Sequence, residues 1–590
     1  MTKPFPWFSP CFMMNLRCLQ AKGGPFAGLD CGARRALFLL LLIMASLSAA
    51  PAAARTIWVG PSSDTSCETN NLGIAVLSAA VEDGDDSIHL ADGVTFNNIS
   101  LALNGFDPDS DQGGLTIRGG FASCGDPNPT AGRTTLQGRV SDPIIEVSGS
   151  GGGRSVIELV NLVLRDSGER ALEVSEGGEV QLTNVWVRNN SGAVRVEDNG
   201  LFSMESESWL LENSTSSGFG AGIFCTDDAV VNVGGPISGN FSGQWGGGIF
   251  ASGSCQVVLR SKAWIQSNRA AVNGGGIAAI GSALISQDAA SSTQILLKNN
   301  TADRGGAVYA DGPETSVLLA NAKIENNEAE RGAAIYATLS SSVQIYRIPN
   351  NACSDPLRCS TLSFNRLGDD IVGAVAWVDG GARVVISETY VEGNGSNFGL
   401  EDQMSLFTAS DASSSLELRN VTIYDNEARY ITEGIGASQI EIEHVTTAGN
   451  FYPTPSGDEP AGLFQDAFSP SATVINSLLW DIGASPGAFG GSCNFAASAA
   501  ALSNSTESTV IFDPLFIDPA TGDLRLNPDS DAVDACLSAT ATRDLEMQSR
   551  PVDVENNPNG DSGQPGGVYD AGSDEVVPKI FADRFEGGSF

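Results

Sequence analysis

The sequence predicts an all-β protein, a right-handed parallel β-helix (solenoid) with a short N-terminal capping helix. Three observations carry this reading. The first is an internal repeat: Gly222-Ile223-Phe224-Cys225, Gly248-Ile249-Phe250-Ala251, Gly276-Ile277-Ala278-Ala279, Ala307-Val308-Tyr309-Ala310 and Ala334-Ile335-Tyr336-Ala337 align, with aliphatic positions 26, 28, 31 and 27 residues apart. The second is an asparagine nine residues ahead of four of these five positions, at Asn240, Asn268, Asn299 and Asn326. The third is composition: 68 glycines with 7% aromatic and 42% hydrophobic residues describe a chain that turns often, packs small side chains and still buries a core.

A period near 27 built from short β-branched runs, with Gly or Asn at the corners, fits a solenoid coil of two or three strands. Leucine-rich repeats share that length, but their Leu-x-x-Leu-x-Leu spacing does not recur here. Stacking coils in register pairs each strand with its equivalent one turn away, ~4.8 Å per coil. Asparagines at equivalent corners then hydrogen-bond up and down the stack and tolerate left-handed backbone angles. Segments such as Asn161-Leu162-Val163-Leu164, Asn184-Val185-Trp186-Val187, Asn420-Val421-Thr422-Ile423 and His444-Val445-Thr446-Thr447 read as the same strand in other coils. Residues 140–500 accommodate about 13 coils, a rod of roughly 60 Å.

The elements follow in order. Residues 1–54 read as a signal peptide with an extended basic region, because Arg34-Arg35 precede the apolar run Ala36 to Leu47 and the small residues Ala49 to Ala54. The run is shorter than the ~20 residues a bilayer span needs. Ala52-Ala53-Ala54 places the cleavage before Arg55, and a start at Met13 or Met14 accounts equally well for the long region ahead of it. Residues 55–139 hold the N-terminal cap and first coils, with a helix over Asn71 to Val81 where Asn71 is the N-cap candidate. The parallel β-helix occupies 140–512. Residues 513–590, rich in Asp, Asn, Pro and Gly, read as a C-terminal cap and acidic tail.

Of the 11 cysteines, Cys11, Cys18 and Cys31 lie in the leader and eight remain. Export makes disulfides the default among them. In a solenoid, bridges join residues close in the stack, which predicts Cys225–Cys255, Cys353–Cys359, Cys67–Cys124 and Cys493–Cys536. The leader carries five cations and one carboxylate, so the net charge of −38 becomes −42 for the mature chain. Such a surface repels nucleic acid and anionic membranes, and its ordinary role is solubility.

The run Asn240 to Gly246-Gly247-Gly248-Ile249 resembles the repeats of polymorphic outer-membrane proteins, which are right-handed parallel β-helices. Leu77-Ser78-Ala79-Ala80-Val81 with Gly84-Asp85-Asp86-Ser87-Ile88-His89-Leu90 is similar to the opening segment of pectin-lyase-like helices, and Gly119-Gly120-Phe121 with Thr134-Thr135-Leu136-Gln137-Gly138 to their first full coil. Asp513-Pro514-Leu515-Phe516-Ile517-Asp518-Pro519, Ala532-Val533-Asp534-Ala535, Arg550-Pro551 and Asp570-Ala571-Gly572 resemble the C-terminal part of bacterial surface β-helix proteins with variable anchors. Polymorphic outer-membrane proteins end in a membrane β-barrel, for which the 15 residues after Glu575 leave no room.

Catalysis on a β-helix calls for paired carboxylates or a base beside acids. Gly368-Asp369-Asp370 superficially resembles the paired aspartates of polygalacturonase-type hydrolases, but that family's Asn-Thr-Asp, Gly-His-Gly and Arg-Ile-Lys motifs are missing, so a solvated Asp-Asp is the simpler reading. Arg260, Lys298 and Lys323 are scattered along the sequence. With His89 and His444 as the only histidines and no Cys-x-x-Cys, a zinc site has little support. Calcium is the one ion with suitable ligands, at Asp553, Asn557, Asn559 and Asp561, although Pro558 stands where an EF-hand-like loop needs Gly and favours a plain acidic loop.

The remaining candidate is an aromatic stripe. If Ile223, Ile249, Ile277, Val308 and Ile335 point inward, their successors Phe224, Phe250, Ala278, Tyr309 and Tyr336 point outward. Rings stacked coil upon coil would bind sugars or a partner protein; in the opposite phase they would fill the core. The expectation is an exported non-catalytic surface protein, adhesin-like, outside the cell or on a bacterial outer surface. It would bind a glycan or a host or neighbour protein, with no nucleic acid and no transmembrane segment in the mature chain. The alternative is a polysaccharide lyase or glycoside hydrolase of the pectin-lyase-like fold.

Overall fold

The computed structural model describes residues 55–576, apart from several short loop segments and residues 551–568. Arg55–Phe590 forms one compact unit, an all-β parallel β-helix opened by one short α-helix. Three strands recur in each coil. The first set builds a 13-stranded sheet from Leu101–Asn104 to Gly462–Ala467, and the third and second set combine in a 29-stranded sheet. A further 7-stranded sheet runs from Ser214–Thr215 to Gly395–Ser396 and turns the coils it spans back toward the first sheet. Pairing between coils is parallel and in register: Ile223 pairs with Ile249, Ile249 with Ile277, Ile277 with Val308 and Val308 with Ile335.

The inward phase is the one the aliphatic column predicts. Ile223, Ile249, Ile277, Val308 and Ile335 are fully buried in a core that runs from Ile57 to Leu502. Cys225, Ala251, Ala279, Ala310 and Ala337, two residues on, share that core. Three residues ahead of each anchor stands a glycine with positive φ (Gly220, Gly246, Gly274, Gly305 and Gly332). A Cβ at Gly246 would lie 2.5 Å from the carbonyl oxygen of Ile249, so the corner admits no side chain.

The asparagine ladder is longer than the repeat suggested, and it is shifted at two rungs. Ten buried asparagines, from Asn190 through Asn213, Asn240, Asn268, Asn300, Asn327, Asn365, Asn394 and Asn426 to Asn450, stack on successive coils. Each Oδ1 accepts both the backbone N–H and the Nδ2–H of the asparagine before it, at 2.8–3.1 Å. Asn240 and Asn268 belong to it, whereas Asn299 and Asn326 are exposed neighbours with φ of 54° each. The reason is one residue of turn: in the Gly-Gly-Gly coils the anchor stands nine residues after the rung, and in the coils ending at Val308 and Ile335 it stands eight after it.

The predicted cap is helix α1, Leu72–Ala79, and the Asn71 side chain accepts the Ile74 N–H at its start. Leu72, Ala75, Val76 and Ala79 close the first coils, and Leu77 stays 70% exposed. At the other end the chain does more than cap. Residues 513–536, 542–550 and 569–574 fold along the flank of the rod, where Tyr390 Oη donates to the Gly522 carbonyl (2.6 Å), Tyr424 Oη to that of Pro519 (3.0 Å) and the Ser573 N–H to Thr446 Oγ1 (2.9 Å). Leu526, Val533, Cys536 and Ala571 build a second, smaller core there with Leu478 and Phe495.

Four disulfides join Cys67–Cys124, Cys225–Cys255, Cys353–Cys359 and Cys493–Cys536, the pairs expected, with Cα separations of 5.1, 6.0, 5.3 and 5.7 Å. They are consistent with an extracellular setting. Among the described residues no helix is long and apolar enough to cross a membrane.

Candidate functional site

The predicted aromatic stripe lies on the outer side of the 13-stranded sheet, separate from the main core. Phe224 stacks on Phe250 with centroids 5.4 Å apart, Tyr309 on Tyr336 at 5.5 Å, and Trp377 extends the column at 6.5 Å from Tyr336. The outward phase is as expected, but the openness is not. Phe250, Tyr309 and Tyr336 are only 4–5% exposed, because the molecule covers them itself. Phe219 and Trp245, from the turns that lead into the strands, lie over Phe250 at 4.9 and 6.5 Å. Trp245 also reaches Tyr309 at 5.7 Å and so bridges the gap that Ala278 leaves.

Guanidiniums complete the cover. Arg304 and Arg331 sit 5.7 and 5.4 Å from the rings of Tyr336 and Trp377, and Arg170 sits 5.0 Å from that of Phe224. Arg170 donates to the carbonyls of Phe219 (2.6 Å) and Gly220 (2.7 Å); burial, with nearby Arg195, brings its pKa down to about 10, so it stays charged at neutral pH. Tyr309 Oη donates to Asp311 (2.9 Å), while Tyr336 Oη (2.7 Å) and Trp377 Nε1 (3.0 Å) share one oxygen of Asp379. Burial, followed by these carboxylates, pushes both phenols well above their usual range and keeps them protonated. Of the stripe's own rings Phe224, half-buried, keeps an accessible edge, as do the covering Phe219 and Trp245.

A second aromatic row, which the repeat did not reveal, is open. On the third strand of the coil Trp186 pairs with Trp209, and the register Leu210–Ile237–Ile265 carries the same outward position through Pro236 to Trp264. Trp264 is 38% exposed, and Trp186 and Trp209 are half-buried. Trp209 and Trp264 edge a groove of about 340 Å³ with Arg133, Glu207 and Lys262 on its rim, and Trp186 lies under the Arg133 guanidinium beside it. Arg133 lies 4.1 Å over Trp186 and donates from Nε to the Asn184 carbonyl (3.0 Å), which holds its charge beside the row. A period-two reading of the third strand would have found this row. The spacings of 23 and 55 residues between its tryptophans hid it from a search for a 27-residue period.

Asp369 and Asp370 fall in the strand Arg366–Val372, where the register against Glu328–Arg331 shifts, so they occupy a bulge rather than a turn. Their side chains lie outside the described residues, as do Asp553, Asn557, Asn559 and Asp561. The structure does gather acids and bases that the sequence scatters. Arg419 Nη2 lies 3.1 Å from both Glu417 and Glu441, and Arg383 pairs with Glu417 at 2.7 Å across neighbouring coils. These carboxylates are engaged by arginine. Asp64 approaches Cys67 and Cys124, but those sulfurs form a disulfide and offer no thiolate to a metal. A depression of about 600 Å³ lies beside α1, and among its described wall residues Arg139 alone is charged.

No family model matches the chain, and no curated protein matches it. The polymorphic outer-membrane likeness therefore remains one of sequence pattern. Among solved structures, the crystal structure of alginate lyase from Paenibacillus sp. str. FPU-7 is similar at 14% identity, over 70% of this chain and 99% of that one, with a TM-score of 0.17. A score that low carries no argument about activity.

Proposed function

We propose that this chain is an exported, non-catalytic surface β-helix of adhesin-like character, which holds a glycan or a protein of a neighbouring or host cell against the flank of its coils. The observation that supports it is the open row Trp186, Trp209 and Trp264, large rings left accessible in register on a rigid face. Phe250 and Tyr309 serve this reading as the packing under Trp245, Tyr336 as the packing under Arg304, and Phe224 as an accessible ring at the edge. The basic-apolar-small leader, cut before Arg55, supports export. The segment likenesses to pectin-lyase-like helices and to polymorphic outer-membrane repeats support a surface setting. No cofactor is assigned to the function. Calcium at Asp553, Asn557, Asn559 and Asp561 would be structural.

The test is a glycan array probed with the exported protein, run beside assays for reducing ends and unsaturated products on the glycans that bind. Binding without turnover supports the reading. Turnover would replace it with a polysaccharide lyase or glycoside hydrolase.

A further inference from the structure

A stack of parallel coils must start on strands that have a neighbour on one side only. Among the described residues, Leu101–Asn104 opens the 13-stranded sheet and pairs with Ile145–Ser148 alone, in register over all four residues. The Leu101 N–H donates to the Ile144 carbonyl (3.0 Å). Bonding alternates along a parallel strand, so the N–H and C=O of Ala102 and the N–H of Asn104 point the other way, toward the end of the rod. The side chains of Ala102 and Asn104 are exposed, while Leu101 and Leu103 are buried in the core. Helix α1 packs on Thr56–Val59 and Asp86–Ala91, which belong to a different stack of strands.

The strand just ahead shows what a protected edge looks like. Thr95–Ile99 also pairs on one side, with Thr134–Gly138, but its register breaks between Phe96 and Ile99, and such bulges blunt an edge. Leu101–Asn104 has no bulge. The depression beside α1 runs along Thr95 to Leu101, so an extended chain laid on the open edge has room to continue into it. The charge here is negative: Asp109 and Glu146 are exposed, and Glu146 stands beside Ala102 in the ladder. Arg139, in the depression, faces Asp142 at 3.7 Å, and Arg154 faces Glu179. A second copy of this chain, with 70 acidic residues against 32 basic ones, is repelled from such a spot, and a cationic segment is drawn to it.

We propose that the edge of Leu101–Asn104 accepts an added strand: an extended, cationic segment of another protein, whose backbone pairs with Ala102 and Asn104 and whose Lys or Arg side chains meet Asp109 and reach over the small Ala102 to Glu146. Strand addition draws its affinity from main-chain hydrogen bonds and its selectivity from alternate side chains. The contact holds the rod by its N-terminal end and leaves the tryptophan row clear, so it stands or falls independently of the glycan reading.

The experiment probes an array of hexapeptides with the exported protein. The peptides alternate Lys or Arg with Val, Ile, Thr or Tyr, and a matched set carries Glu in place of the cation; the strongest binder is then titrated by fluorescence anisotropy. The expected result is binding to cationic strands, at least tenfold weaker to acidic ones. Methylating alternate backbone nitrogens along one edge of the bound peptide should abolish binding, and along the other edge should change it little. Ala102→Pro removes the outward N–H at an edge position, where proline is tolerated, and should lose at least tenfold with an unchanged melting temperature. Glu146→Lys, at an exposed position, should lose severalfold and tests the edge even if the proline variant fails to fold. Binding that ignores methylation, or survives both variants, overturns strand addition at this edge. Equal binding of acidic peptides overturns the cationic class. Dimers that Ala102→Pro dissolves would make the occupant a second copy and overturn the partner, and an array without binding overturns the inference.

Discussion

A guanidinium nitrogen of Arg550 lies 3.0 Å from Nδ1 of His444, a residue 106 positions earlier on the rod. Arginine can only donate, so Nδ1 accepts and the ring is neutral. Burial first, and the Arg550 charge second, hold the His444 pKa well below its ordinary 6.5. Arg550 also donates to the carbonyl of Gly572 (2.9 Å), and the contact ties the C-terminal segment to the flank.

The sign of the resulting pH dependence follows. The folded protein refuses a proton that the unfolded histidine accepts, so this stabilisation is complete above about pH 6.5 and is lost as pH falls below it. Glu433 and Asp574, whose pKa values burial raises, act in the opposite direction, but they are common to wild type and variant. His444→Gln should therefore lower the melting temperature at pH 7.5, and the gap to wild type should narrow by pH 5.5. A gap independent of pH would show that His444 titrates as an ordinary exposed histidine.

The ladder gives a sharper contrast between neighbours. Asn300 bridges Asn268 and Asn327 and donates to the Ile265 carbonyl (2.9 Å), all fully buried or nearly so. Asn300→Ala strands several of these groups and should cost at least about 2 kcal/mol by chemical denaturation. Asn299→Ala, at an exposed left-handed position, should cost about 1 kcal/mol. Equal costs would place the ladder at the wrong residue.

The two aromatic rows should separate stability from binding. Tyr309→Ala opens a cavity under Trp245 and should cost about 3 kcal/mol. Trp264→Ala, at an exposed ring, should change stability by no more than about 0.5 kcal/mol and weaken binding instead. A melting series beside a binding titration checks both, and the reverse pattern would exchange the roles of the rows.

Peptide mapping without reduction should recover the four disulfide pairs. Replacing Cys225 and Cys255 together by Ala, which opens a bridge across 30 residues, should cost about 2–4 kcal/mol. Free thiols at these positions in exported protein would contradict the prediction.

Much of the architecture was legible because a solenoid writes itself into sequence once per coil. The Ile and Ala columns fixed the inward phase, Asn71 announced the helix, and proximity in the stack paired the cysteines. The ladder register was off by one at Asn299 and Asn326 because a single turn residue differs between coils, and consecutive asparagines conceal it. The cover over Phe250 and Tyr309 was not legible: Phe219 and Trp245 keep the period, four residues ahead of Ile223 and Ile249, but they stand in a turn, where strand alternation does not say which way a side chain points, and Asn273, Arg304 and Arg331 at the equivalent positions share no side-chain type with them. Nor was the fold of the described residues after 513, whose loop-like composition docks through contacts such as Tyr390 to Gly522, 132 residues apart.

That docking has a consequence for the outward column that bears the tryptophans. Followed down the stack, the same column passes Leu296 and Lys323 and reaches Thr361 and Tyr390, where the returning C-terminal segment already sits. The lane is therefore closed at one end by the protein's own chain. From Trp186 to Lys323 it measures five coil steps, about 24 Å. A glycan bound along this lane, as proposed, would gain contacts with each added sugar until it met that stop, and its affinity measured against oligomer length should then level off.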